Sequence, residues 1–242
     1  MEEKMGHIHP LSRTMDEIVR IFTEMGFEVA LGPEMESEYY NFDALNFPKE
    51  HPARDMQDTF WIKGVKQTVL RTHTSNAQVR YMEKNKPPFR IVVPGKVFRN
   101  EATDATHETQ FHQIEGLVVG ENITLPNLKW TLETFFKKLF GNNVKMRMRP
   151  SFFPFVEPGV EIDISCFLCS GKGCSVCKKS GWIEVMGAGM VHPNVLQAGG
   201  VDPRKYTGFA FGMGVDRLVM IKHGIEDIRL LYAGDLRLVN QF

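Results

Sequence analysis

The stretch Val97-Phe98-Arg99-Asn100-Glu101, a polar loop with Asp104, His107 and Glu108, and then Phe111-His112-Gln113-Ile114-Glu115-Gly116-Leu117-Val118-Val119 decides the fold. Two strand-like runs on either side of a polar loop read as an antiparallel hairpin. Side chains two apart on a strand share a face, so Arg99 lies with Glu101 on one strand and Gln113 with Glu115 on the other. A fork-shaped cation and a carboxylate facing an amide and a second carboxylate can hold a phosphate, an aromatic amine and an ammonium together. Phe111 offers a flat face to a base. A surface ladder of cross-strand charge pairs uses the same residue types, so the hairpin alone leaves both readings open.

Upstream, Thr14 and Glu17 form a capping-box pair, and Ile18, Ile21, Phe22 and Met25 follow helical spacing until Gly26. Phe27, Val29 and Leu31 alternate as a strand with one buried face, broken by Gly32-Pro33. From Tyr39 to Asp58 the chain is polar and aromatic, with Pro48 and Pro52, and reads as a long ordered loop of the kind that carries function. Thr74 or Ser75 caps a short helix through about Met82, and Pro87-Pro88 separates it from a strand at Ile91-Val92-Val93. Downstream, Leu128, Leu132, Phe135, Phe136 and Leu139 mark an amphipathic helix ended by Gly141. Trp182 to Val185 reads as a strand, and Val215, Leu218, Val219 and Lys222 fall on a last helix ended by Gly224. Strands joined mostly by hairpins, with helices between them, predict an α+β domain: an antiparallel β-sheet flanked by α-helices. At 242 residues and 43% hydrophobic content, one domain covering 1–242 is the expectation.

Lys plus Arg and Asp plus Glu are both 29, so no global positive field advertises a nucleic-acid surface. A nucleic-acid partner must dock on a local patch, for which Lys137, Lys138, Lys145, Arg147 and Arg149 are candidates, or on another chain; Lys137 and Lys138 read more readily as a solvated helix face. No stretch approaches the roughly 18 uninterrupted apolar residues of a membrane span, and the start, Met1-Glu2-Glu3-Lys4-Met5-Gly6-His7, has no apolar signal region. A soluble, cytoplasmic protein is expected.

All four cysteines fall in Cys166-x-x-Cys169 and Cys174-x-x-Cys177, with Gly171, Gly173 and Gly181 around them. Two knuckles at this spacing can close a tetrahedral thiolate shell on Zn²⁺, and a closed shell is structural because no position is open to substrate. Reduced free thiols are the alternative, and a disulfide suits the spacing less. The 166–177 segment then reads as a small zinc-knuckle insert that staples a surface hairpin between strands.

Phe98-Arg99-Asn100-Glu101 and Phe111-His112-Gln113-Ile114-Glu115-Gly116 together resemble the second signature motif of class II aminoacyl-tRNA synthetases. The helix, strand and Pro33 resemble the first, and Gly208-Phe209-Ala210-Phe211-Gly212-Met213-Gly214-Val215-Asp216-Arg217-Leu218 resembles the third. Within that class the chain is similar to phenylalanyl-tRNA synthetase α subunits of the bacterial type. The similarity runs through His51-Pro52-Ala53-Arg54-Asp55-Met56, Arg71-Thr72-His73-Thr74-Ser75, Phe153-Pro154-Phe155-Val156-Glu157-Pro158-Gly159 and Gly187-Ala188-Gly189-Met190-Val191-His192-Pro193.

The resemblance implies the class II catalytic fold and ATP-dependent formation of phenylalanyl-adenylate, followed by transfer to tRNA(Phe). It implies that Arg99 meets the α-phosphate and Arg217 the distal phosphates of ATP, with Glu101 reading the adenine amine, Phe111 stacking on the base and His107 approaching the phosphates. Glu184 and Glu157 match carboxylates that hold Mg²⁺. For L-phenylalanine it implies polar contacts from His73, Ser75, Gln78, Gln113 and Glu115, and ring walls from Phe153, Phe155, Val156 and Ala210. The family's α subunits work with a β subunit, usually as α₂β₂, which carries an editing site, and usually bear an N-terminal coiled-coil arm, expected to be absent here. Neither membrane nor DNA is an expected partner. The rivals are a catalytically inactive synthetase-like binding module and an adenylating relative with another amino acid or acceptor.

Overall fold

The computed structural model describes residues 6–55 and 58–242; Met56 of the His51–Met56 motif and residues 1–5 of the expected signal-free start lie outside them. The strands are β1 (Glu28–Val29), β2 (Met35–Ser37), β3 (Thr68–Leu70), β4 (Phe89–Phe98), β5 (Gln110–Gly120), β6 (Met146–Phe153), β7 (Val156–Ser165), β8 (Trp182–Val191) and β9 (Thr207–Gly214). The helices are α1 (Pro10–Glu24), α2 (Glu38–Asn41), α3 (Asn76–Lys84), α4 (Leu125–Phe140), α5 (Pro193–Ala198), α6 (Val215–His223) and α7 (Leu236–Val239). Seven strands form one sheet in the order β1-β4-β5-β9-β8-β7-β6, and β2 and β3 pair separately.

The two faces of this sheet have different chemistry, and β5 shows why. Ile114 and Val118 point to one face and join a core with α1, α4 and α6, in which the Phe22 ring stacks on Phe135 at 4.5 Å and on Phe211 at 5.1 Å. On the opposite face Leu117 and Val119 pack into a second apolar cluster with Val79, Met82, Val195 and Leu196, while Glu115 and Gln113, further back along the same strand, are polar. One strand face thus passes from core to binding surface within a few residues.

The α+β class with flanking helices is the architecture found. The sheet is mixed rather than wholly antiparallel, because β1 pairs parallel with β4 through Glu28↔Ile91 and Val29↔Val92. Val29 and Leu31 are 46% and 79% exposed, so the expected buried alternation stops at Phe27. α1 starts one turn before the expected capping box: Pro10 occupies the first turn, where a missing N–H is harmless, and His9 Nδ1 accepts from Leu11 N at 3.2 Å. Thr14 is buried inside the helix.

The expected strands at 91–93 and 97–101 are one strand crossing Pro94-Gly95. Proline is tolerated there because β1 covers only Ile91 and Val92, leaving the outer edge of β4 without a ladder at Pro94. Glu101 accordingly lies beyond β4, in the loop. The expected loop from Tyr39 to Asp58 holds α2 and short 3₁₀ turns at 43–45 and 52–54. Within the expected local basic patch Lys138 pairs with Glu24 at 3.0 Å, and Arg147 and Arg149 are bound to Asp163 at 2.8 and 2.7 Å, while Lys137 and Lys145 have no ion-pair partner among the described residues. No helix among the described residues is long and apolar enough to cross a membrane.

Candidate active site

A cavity of about 1040 Å³ opens on the polar part of the sheet face. Antiparallel pairing sets Glu115 opposite Val93 on β4 and opposite Gly212 on β9, with Gln113 opposite Gly95 and Gly214. Gly212 is required by this close approach, since a Cβ there would stand 2.9 Å from Glu115 Cγ and 3.3 Å from Gln113 Nε2. Gly95 is required on the other side, where a Cβ would meet Arg71 Nη2.

Ser75 stands at the start of α3, yet its hydroxyl makes no cap bond; it donates to Glu115 Oε2 at 2.6 Å. Gln78 Nε2, one turn along, donates to the same oxygen at 2.7 Å. Glu115 is 5% exposed, and burial pushes its pKa up to about 7 against the Ser75 and Thr74 bonds and the nearby Arg71 and Arg99. The Oε1 of Gln113 is buried with no partner among the described residues. An acceptor left bare beside a reluctant carboxylate suits a ligand that brings N–H groups and positive charge.

Next to this pair lies an aromatic wall. Phe153 and Phe155 have ring centroids 5.8 Å apart, Phe47 is 5.8 Å from Phe155, and the His73 ring is parallel to Phe47 at 6.1 Å. Both His73 nitrogens are buried without a hydrogen-bond partner among the described residues. Burial and the Arg99 charge push the His73 pKa down to about 3, so the ring is neutral.

The far end of the cavity is cationic. Arg99 donates from Nε to Thr72 O at 3.3 Å, lies 5.0 Å over the Phe111 ring and has Glu101 Oε1 4.0 Å away. Arg217 projects from the first turn of α6, exposed and without an ion-pair partner among the described residues. Behind it Asp216, 2% exposed, accepts from His112 N at 2.6 Å and from the Tyr232 hydroxyl. Burial raises the Asp216 pKa to about 6 and lowers that of His112 to about 4.

Of the expected residues, His73, Ser75, Gln78, Arg99, Glu101, Phe111, Gln113, Glu115, Phe153, Phe155, Glu184, Ala210 and Arg217 line this one cavity. Val156, Glu157 and His107 do not. Val156 is buried behind the aromatic wall, Glu157 is exposed, and His107 is bound to Asp104 at 2.9 Å in the hairpin loop. Glu184 faces the cavity but pairs with Arg149 at 3.1 Å.

Three features escaped the sequence. Phe47 belongs to the ring wall, Arg71 ties the Gly32 carbonyl to the Lys96 carbonyl at 2.9 and 2.7 Å, and Tyr232 closes the Asp216 network from the C-terminal segment. Arg71 had a signal, since it opens the Arg71–Ser75 run already singled out. Phe47 and Tyr232 had none beyond being aromatic.

The four cysteine sulfurs lie within 4.8 Å of one another, with Cys166 to Cys174, Cys169 to Cys177 and Cys174 to Cys177 at 3.8, 3.8 and 3.7 Å. A tetrahedral shell with Zn–S of about 2.3 Å sets its sulfurs about 3.8 Å apart, so the residues fit zinc. Gly173 N and Cys174 N donate to Cys169 Sγ and Cys177 Sγ at 3.2 and 3.1 Å, bonds that favour thiolates. The knuckle is more than a surface staple: Cys166 and Cys177 are buried in the main core, and the Phe167 ring stacks on Phe140 of α4 at 4.7 Å.

The pattern that defines the family described as "tRNA synthetases class II core domain (F)" matches residues 1–242. The chain is 59% identical over 239 residues to the phenylalanine–tRNA ligase alpha subunit of Caldanaerobacter subterraneus subsp. tengcongensis, covering 99% of this chain and 70% of that one. It is 60% identical over 241 residues to the subunit of the same name from Staphylococcus carnosus, covering 99% and 68%. A Clostridium perfringens alpha subunit is 57% identical over 241 residues, covering 100% and 70%.

Proposed function

The chain belongs to the class II tRNA synthetase core family, and we propose that its cavity joins L-phenylalanine to ATP as phenylalanyl-adenylate and, with a β subunit, delivers the phenylalanyl group to tRNA(Phe). What supports this reading is the union in one cavity of an aromatic wall, a buried carboxylate beside a bare amide oxygen, and two cations.

Glu115 and Gln113 Oε1 receive the ammonium, which brings hydrogen bonds to the unpartnered amide oxygen and positive charge to the buried carboxylate. The rings of Phe153 and Phe155 take the phenyl group, with Ala210 leaving it room. An oxygen of the substrate carboxylate attacks the α-phosphorus, and the bond from that phosphorus to the bridging oxygen breaks as pyrophosphate leaves. No side chain serves as nucleophile. Arg99 neutralises charge building on the α-phosphoryl oxygens, Arg217 holds the distal phosphates, Phe111 supports adenine and Glu101 accepts from its amine.

Mg²⁺ arriving with ATP screens the phosphate charge when bound. Glu184, which lines the cavity, would hold it in exchange for the ion pair with Arg149, and Glu157, exposed and outside the lining, would have the lesser part. Zn²⁺ in the Cys166, Cys169, Cys174 and Cys177 cluster is a structural ion in this reading. The intact set of Arg99, Glu101 and Arg217 argues against an inactive module, and the ring wall against another amino acid.

The test is charging of tRNA(Phe) with labelled phenylalanine by the chain assembled with a β subunit. Charging that is lost in Arg99→Ala supports the assignment. Charging unchanged in that variant would move the chemistry elsewhere.

A further inference from the structure

We propose that the cysteine knuckle is a wall of the substrate cavity and that it presents the Lys178 ammonium to the triphosphate of ATP, so that metal and nucleotide binding are linked; this rests on the adenylation reading above. β8 and β9 are adjacent and antiparallel, so the end of β9 and the start of β8 lie at the same end of the sheet. β9 runs into α6 and Arg217, while β8 begins at Trp182, directly after the knuckle. The topology therefore sets the knuckle's return beside the cation assigned to the distal phosphates.

The cavity lining bears this out: Val176, Cys177, Lys178 and Ser180 share it with Arg217 and Glu184. Among the cations at this end, Arg147 and Arg149 are held by Asp163, and Arg149 also by Glu161 and Glu184 at 2.8 and 3.1 Å. Lys178 is exposed and has no ion-pair partner among the described residues. Its charge is free for a polyanion, and a triphosphate is the polyanion this cavity takes.

The knuckle also fixes the turn from which Lys178 projects. Its φ of 48° is a left-handed conformation uncommon for a non-glycine residue. Here the holding bonds are local: Lys178 N to Ser175 O at 3.0 Å, Lys179 N to Cys174 O at 2.8 Å and Cys174 N to Cys177 Sγ at 3.1 Å. Two of these run through the cysteine cluster. Loss of the metal would release the turn that aims the lysine, while the aromatic wall and Glu115, held by other strands, would stay in place.

The experiment uses the chain assembled with the β subunit, without tRNA, and reads phenylalanine-dependent ATP–pyrophosphate exchange together with calorimetric ATP binding. In Lys178→Ala the KM and Kd for ATP are expected to rise about tenfold, the loss of one charge-assisted contact, with KM for phenylalanine unchanged. Lys178→Arg should restore most of the loss. Stripping zinc from the wild type, checked by metal analysis, should raise the ATP Kd by a similar factor and add little in Lys178→Ala. ATP constants within twofold of wild type in Lys178→Ala, or a zinc-stripped wild type that binds ATP normally, would overturn the proposal. So would normal ATP constants with a defect confined to a parallel assay of tRNA charging, which would give the lysine to the tRNA backbone. Absence of exchange in the wild type would instead count against the adenylation reading itself.

Discussion

The Ser75 hydroxyl donates to Glu115 Oε2 at 2.6 Å across 40 positions of sequence, although Ser75 begins a helix whose first turn it leaves uncapped. A local rule is broken here in favour of a long-range bond, and such breaks collect at functional sites. The cap bond forgone is worth about 1 kcal/mol. What it secures is the orientation of a buried carboxylate at the floor of the cavity.

Glu115 makes phenylalanine binding depend on pH. With its pKa pushed up to about 7 by burial, the anion needed by an ammonium is lost as pH falls. KM for phenylalanine is expected to rise about tenfold per pH unit below 7. Glu115→Gln should bind phenylalanine weakly at every pH, with a flat profile, as steady-state kinetics from pH 5.5 to 8.5 would show.

The same shift acts on stability with a definite sign. A carboxyl whose folded pKa lies above its unfolded value holds its proton more tightly when folded, so its contribution is complete below the unfolded pKa and is lost as pH rises through 7. Glu115→Gln is expected to raise the melting temperature of the ligand-free protein at pH 8, by an effect on the order of 3 kcal/mol, and to change it little at pH 4. Asp216, with a pKa raised to about 6, acts in the same sense. Thermal melts at the two pH values check the difference.

Gly212→Ala tests the close packing beneath the site. The added methyl carbon would stand 2.9 Å from Glu115 Cγ and displace the carboxylate while leaving the strand paired. KM for phenylalanine should rise about tenfold or more and KM for ATP should move less. Equal loss in both, or none, would argue against Glu115 as the ammonium's partner.

Tyrosine differs from phenylalanine by a hydroxyl, and an apolar pocket rejects an added hydroxyl by only about a hundredfold. The wall of Phe153 and Phe155 offers that hydroxyl no dedicated partner among its rings. Activation of tyrosine at about one hundredth of the phenylalanine efficiency is expected in exchange assays.

Much of this arrangement was legible in the sequence because β5 carries it in a period of two: Gln113, Glu115, Leu117 and Val119 on one face and Ile114 and Val118 on the other. The third motif was equally plain, since Gly212 must be bare for Glu115 to fit. What could not be read was set by long-range packing. β6 and β7 do alternate, with Met146, Met148, Val160, Ile162 and Ile164 toward the core and Arg147, Arg149, Glu161 and Asp163 away from it, so the strands were readable; the pairing of those charges with one another across the two strands was not. Phe47 joined the ring wall only because the turns between Glu38 and Arg54 fold it toward His73, and Arg54 secures them through Asp43 at 2.6 Å and the Phe47 carbonyl at 2.7 Å. The knuckle's place on the cavity followed from β8 lying beside β9, which sets the start of β8 near Arg217 and which cysteine spacing alone does not reveal.

The most direct measurement is ATP–pyrophosphate exchange by the chain assembled with a β subunit, wild type against Arg99→Ala, with phenylalanine, tyrosine and leucine as the amino acid. The account requires exchange driven best by phenylalanine and reduced about a thousandfold or more in Arg99→Ala, the loss of a cation aimed at transition-state charge. Exchange that is absent with every amino acid, or that survives intact in Arg99→Ala, would contradict it.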